Sequence, residues 1–438
     1  MTQPELVCFE ASCRSHYRID QVIYNCPACG GLLEVEYPNT AADPAALRRL
    51  WRERRMSNHP ADESGVWRYR EALSFLTDTS AMVTLREGST PLLKSRRAAS
   101  WAGLDGVTFK HQGFNPTGSF KDNGMTCGTS WAVRLGMRRV ACVSTGNTSA
   151  SMAAYASAAG LQPIIFLPHG NISYSKLAQA LEYGAMTLQV DANFDQILKL
   201  VRKLSEELGI YLLNSINPFR IEGQKTIMFE LMDARDWNVP DWIVLPGGNL
   251  GNVSAFGKGL REMRDAGLID RLPRLAVVQA DRSAPFYDFM QRRAEGGFRP
   301  VENPETLATA IRIGDPVSWP KALYEITTSD GMVEKVTEAE IADAKAQIGL
   351  AGIGCEPASA ATLAGIRKLV AAGIMRPDAD VVAVLTGHVL KDSDYIFKYH
   401  TGVLKTPAGE AVPATYANQP IVVPNDLAHI SQLLGSNG

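Results

Sequence analysis

The sequence predicts an α/β protein with two lobes that are built on parallel or mostly parallel sheets. Apolar runs typical of buried strands alternate with helical patterns from residue 91 to about residue 217, and again beyond residue 223. Such alternation favours parallel strands with helices on both faces of each sheet. The chain has 438 residues, which is enough to bury more than one core. Several of the predicted strands end in polar loops, the position at which open α/β sheets bind ligands.

The strands and helices follow from these patterns. The predicted strands lie at residues 107–110, 139–143, 163–167, 186–190, 211–213, 242–245, 275–279 and 381–385. The predicted helices lie at residues 45–55, 175–183, 195–208, 225–234, 251–265 and 358–372. We expect five segments: a zinc-ribbon-like segment (1–38), a helical extension (39–90), a first lobe (91–217), a second lobe (218–400) and an irregular C-terminal strap (401–438).

Four of the seven cysteines cluster near the N-terminus: Cys8, Cys13, Cys26 and Cys29. The second pair, in CPACGG, has the spacing of half a zinc knuckle, and the wider gap of the first pair is within the permitted range. These cysteines predict a small zinc ribbon; a ribbon that has lost its metal and a chance cluster are the alternatives. The other three cysteines, which are scattered among apolar residues, are expected to be buried thiols.

One lysine follows a tight turn at the start of a predicted helix. In the segment GFNPTGSFKD (113–122), Pro116 and Gly118 shape the turn that precedes Lys121. The positive end of the helix dipole disfavours a second positive charge there, which helps to keep the amine neutral and nucleophilic. Schiff-base chemistry requires a neutral lysine amine. The alternative is an ordinary surface lysine.

A glycine-rich loop joins a buried strand to a helix. The loop PGGNLGN (246–252) follows the strand at 242–245. Backbone N–H groups and the helix dipole make such a loop a cradle for phosphate. Its glycine spacing and the absence of a following Lys-Ser or Lys-Thr argue against a dinucleotide site or a Walker site. We therefore expect a phosphate monoester to bind there, with an ordinary tight turn as the alternative.

Two further strand ends carry polar side chains. The segment STGNTS (144–149) places Ser144, Thr145, Asn147, Thr148 and Ser149 at a helix start. Simple N-capping is the alternative, but one cap needs only one such residue, so the surplus favours a polar ligand. The strand at 381–385 ends in TGH (386–388). A lysine, a phosphate loop and polar strand ends together describe a site for pyridoxal phosphate (PLP), whose aldehyde, phosphate and ring need these partners.

The chain resembles the plant-like threonine synthases, within the fold type II PLP enzymes related to the tryptophan synthase β chain. The resemblance covers about residues 87–392. It rests on the segments EGSTPL (87–92), NPTGSFKD (115–122), STGN (144–147), EGQKT (222–226), GGNLGN (247–252), IRIG (311–314), PVSW (316–319), EPASA (356–360), TGH (386–388) and LKD (390–392). Ser89, Asn123 and Val389 depart from residues that are frequent in the family.

The resemblance implies a role for each site residue. Lys121 would form the Schiff base with PLP and then act as the catalytic base. Asn147 would hydrogen-bond to the ring hydroxyl oxygen, and Thr386 would face the ring nitrogen. The phosphate would be held by Gly248, Asn249, Leu250, Gly251 and Asn252. Substrate contacts are expected from Ser144, Thr145, Thr148 and Ser149.

The same resemblance implies a PLP-dependent lyase that converts O-phospho-L-homoserine and water to L-threonine and phosphate. TGH (386–388) and IRIG (311–314) favour this reaction over that of a threonine dehydratase. A cysteate synthase-like enzyme and a non-catalytic ligand-sensing protein on this fold are the remaining alternatives.

Composition argues against other classes of partner. The 44 basic and 46 acidic side chains give a net charge of −2, which provides neither a basic field for nucleic acid nor a polybasic membrane anchor. The sequence contains no stretch of about 18 consecutive apolar residues, so we expect no membrane span. The N-terminus lacks the charged and apolar regions of a signal peptide. We expect a cytoplasmic homodimer that binds a small amino-acid substrate.

Overall fold

The computed structural model describes residues 3–38, 43–169, 174–192, 194–292 and 295–435. A three-stranded antiparallel ribbon opens the chain, in the order β2-β1-β3. Its strands are β1 (Glu5–Cys8), β2 (His16–Arg18) and β3 (Leu33–Glu36). The register places Cys8 of β1 opposite Leu33 of β3, so the cysteine lies beside the turn that precedes β3.

Short helices and two strands follow the ribbon. In chain order they are α1 (Pro44–Arg54), α2 (Pro60–Glu63), β4 (Leu92–Lys94), α3 (Arg96–Ala102), β5 (Thr108–His111) and α4 (Lys121–Arg134). The Asp43 side chain caps α1 by accepting a hydrogen bond from the Ala45 N–H at 3.0 Å. Helix α4 begins at Lys121, as the sequence predicted.

The next segment forms a four-stranded parallel sheet. Its elements are β6 (Arg139–Val143), α5 (Asn147–Ala158), β7 (Gln162–Pro168), α6 (Tyr174–Glu182), β8 (Met186–Val190), α7 (Phe194–Leu208) and β9 (Ile210–Leu212). The strand order is β8-β7-β6-β9, and every pair is parallel. Strands and helices alternate along this segment, as was predicted for the first lobe.

The remaining elements build most of a six-stranded sheet. They are α8 (Pro218–Ala234), β10 (Trp242–Pro246), α9 (Gly251–Asp265), β11 (Arg274–Ala280), α10 (Pro285–Gln291), α11 (Trp319–Thr328), β12 (Met332–Val336), α12 (Glu338–Leu350), α13 (Pro357–Ala371), β13 (Val381–Leu385), α14 (Ser393–His400) and α15 (Leu427–Gly435). The order is β12-β11-β10-β13-β5-β4, and β4 alone runs antiparallel to its neighbour among these described strands.

The predicted α/β class with mostly parallel sheets is confirmed. The sheets divide the chain differently from the expected lobe boundaries, because β5 pairs with β13, which comes after residue 240, and β4 pairs with β5 in the same sheet. Strand β12 was not predicted, because its short segment MVEKV, at a sheet edge, is neither a continuous apolar run nor a regular alternation of apolar and polar residues. The C-terminal segment, expected to be irregular, contains the exposed helix α15.

The six-stranded sheet is buried on both faces. Val244, Val278 and Ala383 belong to one apolar cluster, whereas their strand neighbours Leu245 and Val277 belong to another. Because successive side chains point to opposite faces of a strand, the two clusters lie on opposite sides of the sheet. Burial of both faces explains why these strands are continuous apolar runs. Among the described residues, no helix has the length and apolarity needed to cross a bilayer.

Helices α4 and α8 touch backbone to backbone. A β carbon on Gly223 of α8 would lie 1.9 Å from the Asn123 carbonyl oxygen of α4. A β carbon on Gly124 would lie 2.8 Å from the Arg220 carbonyl oxygen. Both distances are below any tolerated contact, so the crossing requires glycine at both positions. The start of α4 is thereby fixed against α8.

A buried charge network occupies the other side of α8. The Glu222 carboxylate lies 2.5 Å from Lys225 Nζ and 2.7 Å from Lys258 Nζ, and it accepts a hydrogen bond from the Tyr37 hydroxyl at 2.6 Å. Both ammonium groups also pair with Glu262, at 2.6 and 2.7 Å. Burial would raise the pKa of Glu222, but the two lysines outweigh it and hold the pKa at about 2.

We predict that Glu222→Ala lowers the free energy of unfolding by about 3–5 kcal/mol at pH 7, because it removes the buried carboxylate that two buried ammonium groups share and leaves them only the more exposed Glu262. The folded-state pKa lies below the unfolded value, so this stabilisation is complete above about pH 4.5 and is lost as pH falls toward 2. Urea unfolding at pH 7, 4 and 3 measures it. The exposed Glu53→Ala is the control, and an equal loss in both variants at pH 7 would contradict the prediction.

Candidate functional site

The turn before Lys121 is joined to the end of β13. The Phe120 N–H donates to the Thr386 carbonyl at 3.0 Å, and the His388 N–H donates to the Gly118 carbonyl at 2.9 Å. Gly118 has φ +82°, a left-handed conformation that glycine adopts readily and that suits its predicted part in the turn. We call the paired segments 118–120 and 386–388 the clasp. It brings the first residue of α4 beside the carboxyl end of β13.

Asp122 locks the turn from within α4. Its carboxylate accepts hydrogen bonds from the Thr117 N–H at 2.7 Å, the Thr117 hydroxyl at 2.6 Å and the Ser151 hydroxyl at 2.6 Å. Burial raises the pKa of Asp122 to about 6, although these hydrogen bonds act in the opposite direction. The acid that follows the lysine therefore holds the turn against α5 and is not free to bind a ligand.

Lys121 lies half-buried at the start of α4. Burial lowers the pKa of Lys121 to about 7, and the positive charge of Arg220 adds to this effect, while Glu356 opposes it. The amine lies 4.1 Å from the centre of the Phe120 ring. A large share of these amines is therefore neutral at physiological pH, as nucleophilic chemistry requires.

The glycine-rich loop has the geometry of an anion cradle. Leu250 adopts the left-handed conformation at φ +61° and caps α9, which begins at Gly251. Within the described chain, the N–H groups of Gly248, Asn249 and Leu250 donate no hydrogen bond. The N–H groups of the first helical turn have no partner inside the helix either. These donors, together with the helix dipole, fit a phosphate group.

The flanks of this loop are held in place. The Asn249 side chain accepts a hydrogen bond from the Val317 N–H at 2.8 Å and donates to the Ser215 hydroxyl at 2.5 Å. A β carbon on Gly248 would lie 2.9 Å from the Ala310 carbonyl oxygen, so glycine is required there. The side chain of Asn249 is thus engaged in anchoring the loop, which leaves its backbone N–H as the group that can meet an anion.

Helix α8 sets the distance between the loop and the lysine. A β carbon on Gly251 would lie 3.8 Å from Gln224 Oε1, with no closer contact. The Gln224 amide also lies against Gly124 of α4, 2.8 Å from a β carbon placed there. One side chain of α8 therefore borders both the phosphate loop and the helix that Lys121 begins.

Glu356 joins the two polar residues that were predicted to hold the ring of the cofactor. Asn147 Nδ2 donates to Glu356 Oε2 at 3.0 Å, and the Thr386 hydroxyl donates to Glu356 Oε1 at 2.9 Å. The carboxyl group is 1% exposed, and burial raises the pKa of Glu356. A β carbon on Gly387 would lie 2.3 Å from this carboxyl group, so only glycine leaves room for it.

Glu356 is part of the EPASA segment, but the sequence predicted no role for its side chain in the site. The signal available was an acidic residue directly before Pro357, which begins α13. That position is equally typical of an ordinary helix start. Only the tertiary structure reveals that the carboxyl group contacts both Asn147 and Thr386.

Ser359 fixes the end of β13. Its hydroxyl oxygen accepts hydrogen bonds from the Thr386 N–H at 2.8 Å and the Gly387 N–H at 3.1 Å. It also lies 2.9 Å from the Thr386 hydroxyl oxygen. The rotamer of Thr386 is therefore set by α13 and does not depend on a bound ligand.

The hydroxyl-rich segment at the start of α5 divides into two groups. The Ser144 hydroxyl accepts a hydrogen bond from the Gly146 N–H at 3.2 Å, and the buried Ser149 hydroxyl donates to the Gly146 carbonyl at 2.8 Å. These are local capping contacts, the alternative considered for this segment. Thr145 and Thr148 are partly exposed, so their side chains are the more accessible to a substrate.

The residues brought together fit PLP. A neutral amine, unpartnered N–H groups on the phosphate loop, and the amide and hydroxyl held by Glu356 match the aldehyde, phosphate and polar ring atoms of that cofactor. The four predicted metal-binding cysteines also lie together, but in the N-terminal ribbon.

The chain is similar to known PLP enzymes. A family model described as "Pyridoxal-phosphate dependent enzyme" matches residues 83–387. Threonine synthase from Methanocaldococcus jannaschii is 47% identical over 87% of this chain and 92% of its own length. Threonine synthase 2, chloroplastic, from Arabidopsis thaliana is 36% identical over 95% of this chain and 82% of its own length.

Solved structures show the same fold. The crystal structure of threonine synthase from Escherichia coli matches with a TM-score of 0.67 and 16% identity, over 99% of this chain and all of that chain. The structure of maize serine racemase matches with a TM-score of 0.59 and 21% identity, over 73% of this chain and 92% of that chain.

We predict that PLP followed by borohydride labels Lys121. The initial rate of labelling should be half-maximal near pH 7, because burial lowers the pKa of this amine from the ordinary lysine range. Peptide mapping across a pH series measures both the site and the midpoint. Lys121→Arg is the control and should carry no label at this position. A label on Lys391, another lysine whose pKa is lowered by burial, would overturn the assignment.

We predict that Glu356→Gln moves this labelling midpoint to lower pH. The substitution keeps the shape of the side chain but removes the negative charge that favours the protonated form of Lys121. Glu338→Gln is the matched control, since burial also raises the pKa of Glu338, which pairs with the Leu307 N–H instead. A midpoint that stays unchanged or rises in Glu356→Gln would show that Glu356 does not act on the amine.

Proposed function

The chain belongs to the pyridoxal-phosphate dependent enzymes and, within them, to the threonine synthases, and from that premise we propose how its residues act. The enzyme is a PLP-dependent lyase that converts O-phospho-L-homoserine and water to L-threonine and phosphate. The single observation that carries the mechanism is the clasp, which places Lys121 beside Thr386 and, through Glu356, beside Asn147.

Bound PLP supplies an electron sink that makes protons on the substrate carbon skeleton acidic. Lys121 then acts as the base that removes the Cα proton and as the acid that returns one. A pKa of about 7 suits both tasks, because each protonation state is well populated at neutral pH. The same amine can remove the Cβ proton before the γ-phosphate leaves and return a proton to Cγ, which becomes the methyl carbon. Water then adds its hydroxyl group at Cβ, and its proton goes to the released phosphate.

Asn147 and Thr386 orient the ring of the cofactor. The Asn147 amide has a second N–H besides the one given to Glu356, and that N–H can meet the ring hydroxyl oxygen. The single O–H of Thr386, which is donated to Glu356 Oε1 in this structure, would turn to the ring nitrogen when the cofactor is bound. Since a hydroxyl does not deliver a full proton, the electron withdrawal of the ring stays moderate. The phosphate is held by backbone N–H groups of residues 248–252.

The proposed enzyme is a cytoplasmic homodimer. Large apolar side chains near the C-terminus are highly exposed, including Val422 at 97% and Leu427 at 82%, and a second copy would remove them from water. All seven cysteines are free thiols, which suits a reducing compartment. Light scattering on the protein as it elutes from a size-exclusion column measures its mass, and a mass of two chains is expected.

We predict that O-phosphohomoserine yields equal amounts of threonine and phosphate, whereas O-phosphoserine and threonine are turned over poorly. Chromatographic detection of threonine and a colorimetric phosphate assay measure both products. Lys121→Ala is the control and should abolish turnover. Formation of 2-oxobutanoate from threonine at a comparable rate would identify a dehydratase and overturn the proposed reaction.

A further inference from the structure

Four cysteines meet at one end of the N-terminal ribbon. Cys8 ends β1, Cys13 lies in the turn after it, and Cys26 and Cys29 lie in the turn before β3. Their four Sγ atoms lie within 4.8 Å of one another. The Cys8–Cys29 and Cys13–Cys26 sulfur pairs are 3.4 and 3.7 Å apart, and all four are free thiols. Residues from three separate parts of the ribbon therefore converge on one point.

The sulfur spacing matches a tetrahedral metal site. With zinc–sulfur bonds of about 2.3 Å, the edges of a tetrahedron of thiolates are about 3.8 Å long. The two sulfur pairs fall close to this value. Tetrahedral coordination by four thiolates is typical of zinc or of iron, and a closed set of four protein ligands is typical of a structural zinc site.

The surroundings of the sulfurs complete such a site. The Gly31 N–H donates to Cys29 Sγ at 3.4 Å, and a β carbon on Gly31 would lie 3.2 Å from Cys29 Sγ and 3.4 Å from Cys8 Sγ. The Tyr17 hydroxyl lies 3.1 Å from Cys26 Sγ. Backbone amides and hydroxyl groups around thiolates orient them and spread their negative charge. Glycine at position 31 therefore places no side chain against the Cys29 and Cys8 sulfurs, and its N–H donates to one of them.

The ribbon contacts the four-stranded sheet and the helices α11 and α8. The Leu212 N–H of β9 donates to the Tyr24 hydroxyl at 2.6 Å, which ties the ribbon to the four-stranded sheet. On the other side, Lys321 Nζ of α11 donates to the Leu33 carbonyl at 2.8 Å. The Tyr37 hydroxyl reaches Glu222 of α8. A folded ribbon therefore bridges elements that pack on different sheets.

We propose that Cys8, Cys13, Cys26 and Cys29 bind one zinc ion, and that this ion holds the ribbon in the shape that bridges the two sheets. The ribbon has a small core of its own, in which only Leu33 and two of the cysteines are buried among the described residues. Leu6 and Val35 of the ribbon are buried in a core of the protein body, whereas the end that carries the cysteines has only this small cluster, and a metal would stabilise it. The site has no open position for a substrate, so its role is structural.

Metal analysis of the purified full-length protein, expressed with zinc present and handled under reducing conditions, tests the proposal. We expect about one zinc ion per chain, bound by four thiolates. Cys29→Ser and Cys13→Ser should lose most of it. Cys29→His should retain it, because three cysteines and one histidine also form a structural zinc site. The buried Cys142→Ala is the matched control and should keep the full zinc content.

A second measurement does not depend on the variants folding. Cobalt-substituted parental protein should show the visible absorption bands of a tetrahedral thiolate site, and removal of the metal should accelerate proteolysis within residues 3–38. Iron in place of zinc, two disulfides without metal, or unchanged zinc content in Cys29→Ser would overturn the proposal. These readouts involve neither PLP nor turnover, so the proposed reaction stands or falls independently of them.

Discussion

The Phe120 N–H donates to Thr386, and the His388 N–H donates to Gly118, so two short segments far apart in sequence form an antiparallel bridge. Lys121 follows one segment directly, and Thr386 begins the other. Because the bridge consists of backbone hydrogen bonds, the distance between the backbones of Lys121 and Thr386 does not depend on flexible side chains. Glu356 then extends the arrangement to Asn147, and Gly387 leaves the room that its carboxyl group needs.

Helix α8 fixes the position of the glycine-rich loop relative to α4. Gly223 and Gly124 bring the backbones of α8 and α4 into contact, which leaves no freedom to slide one helix along the other. On the opposite side, Glu222 shares its carboxylate between two buried lysines and so fixes α8 against α9. The phosphate loop immediately precedes α9. Catalytic geometry in this protein therefore depends on a helix that supplies no group to the chemistry.

The sequence revealed those site residues whose conformation is decided locally. The turn before Lys121 needs Gly118 at positive φ, and the phosphate loop follows an apolar strand, so both carry patterns within a few residues. Glu356 carried no such pattern, because its role arises from partners that are distant in sequence. The edge strand β12 was not predicted, because its residues show neither a continuous apolar run nor a regular alternation. The membership of β5 in the six-stranded sheet was equally invisible, since propensity says nothing about which strands pair.

The position of β13 has a consequence for biosynthesis. This strand lies between β10 and β5, although it is the last of the strands to leave the ribosome. Until residue 385 emerges, β5 and β10 each present an apolar, unpaired edge, and the residues of the clasp have no partner. Such non-local pairing slows folding and leaves nascent chains prone to aggregate. Chains terminated before β13 are thus expected to be aggregation-prone as well as inactive, since the site cannot form until β13 has been translated.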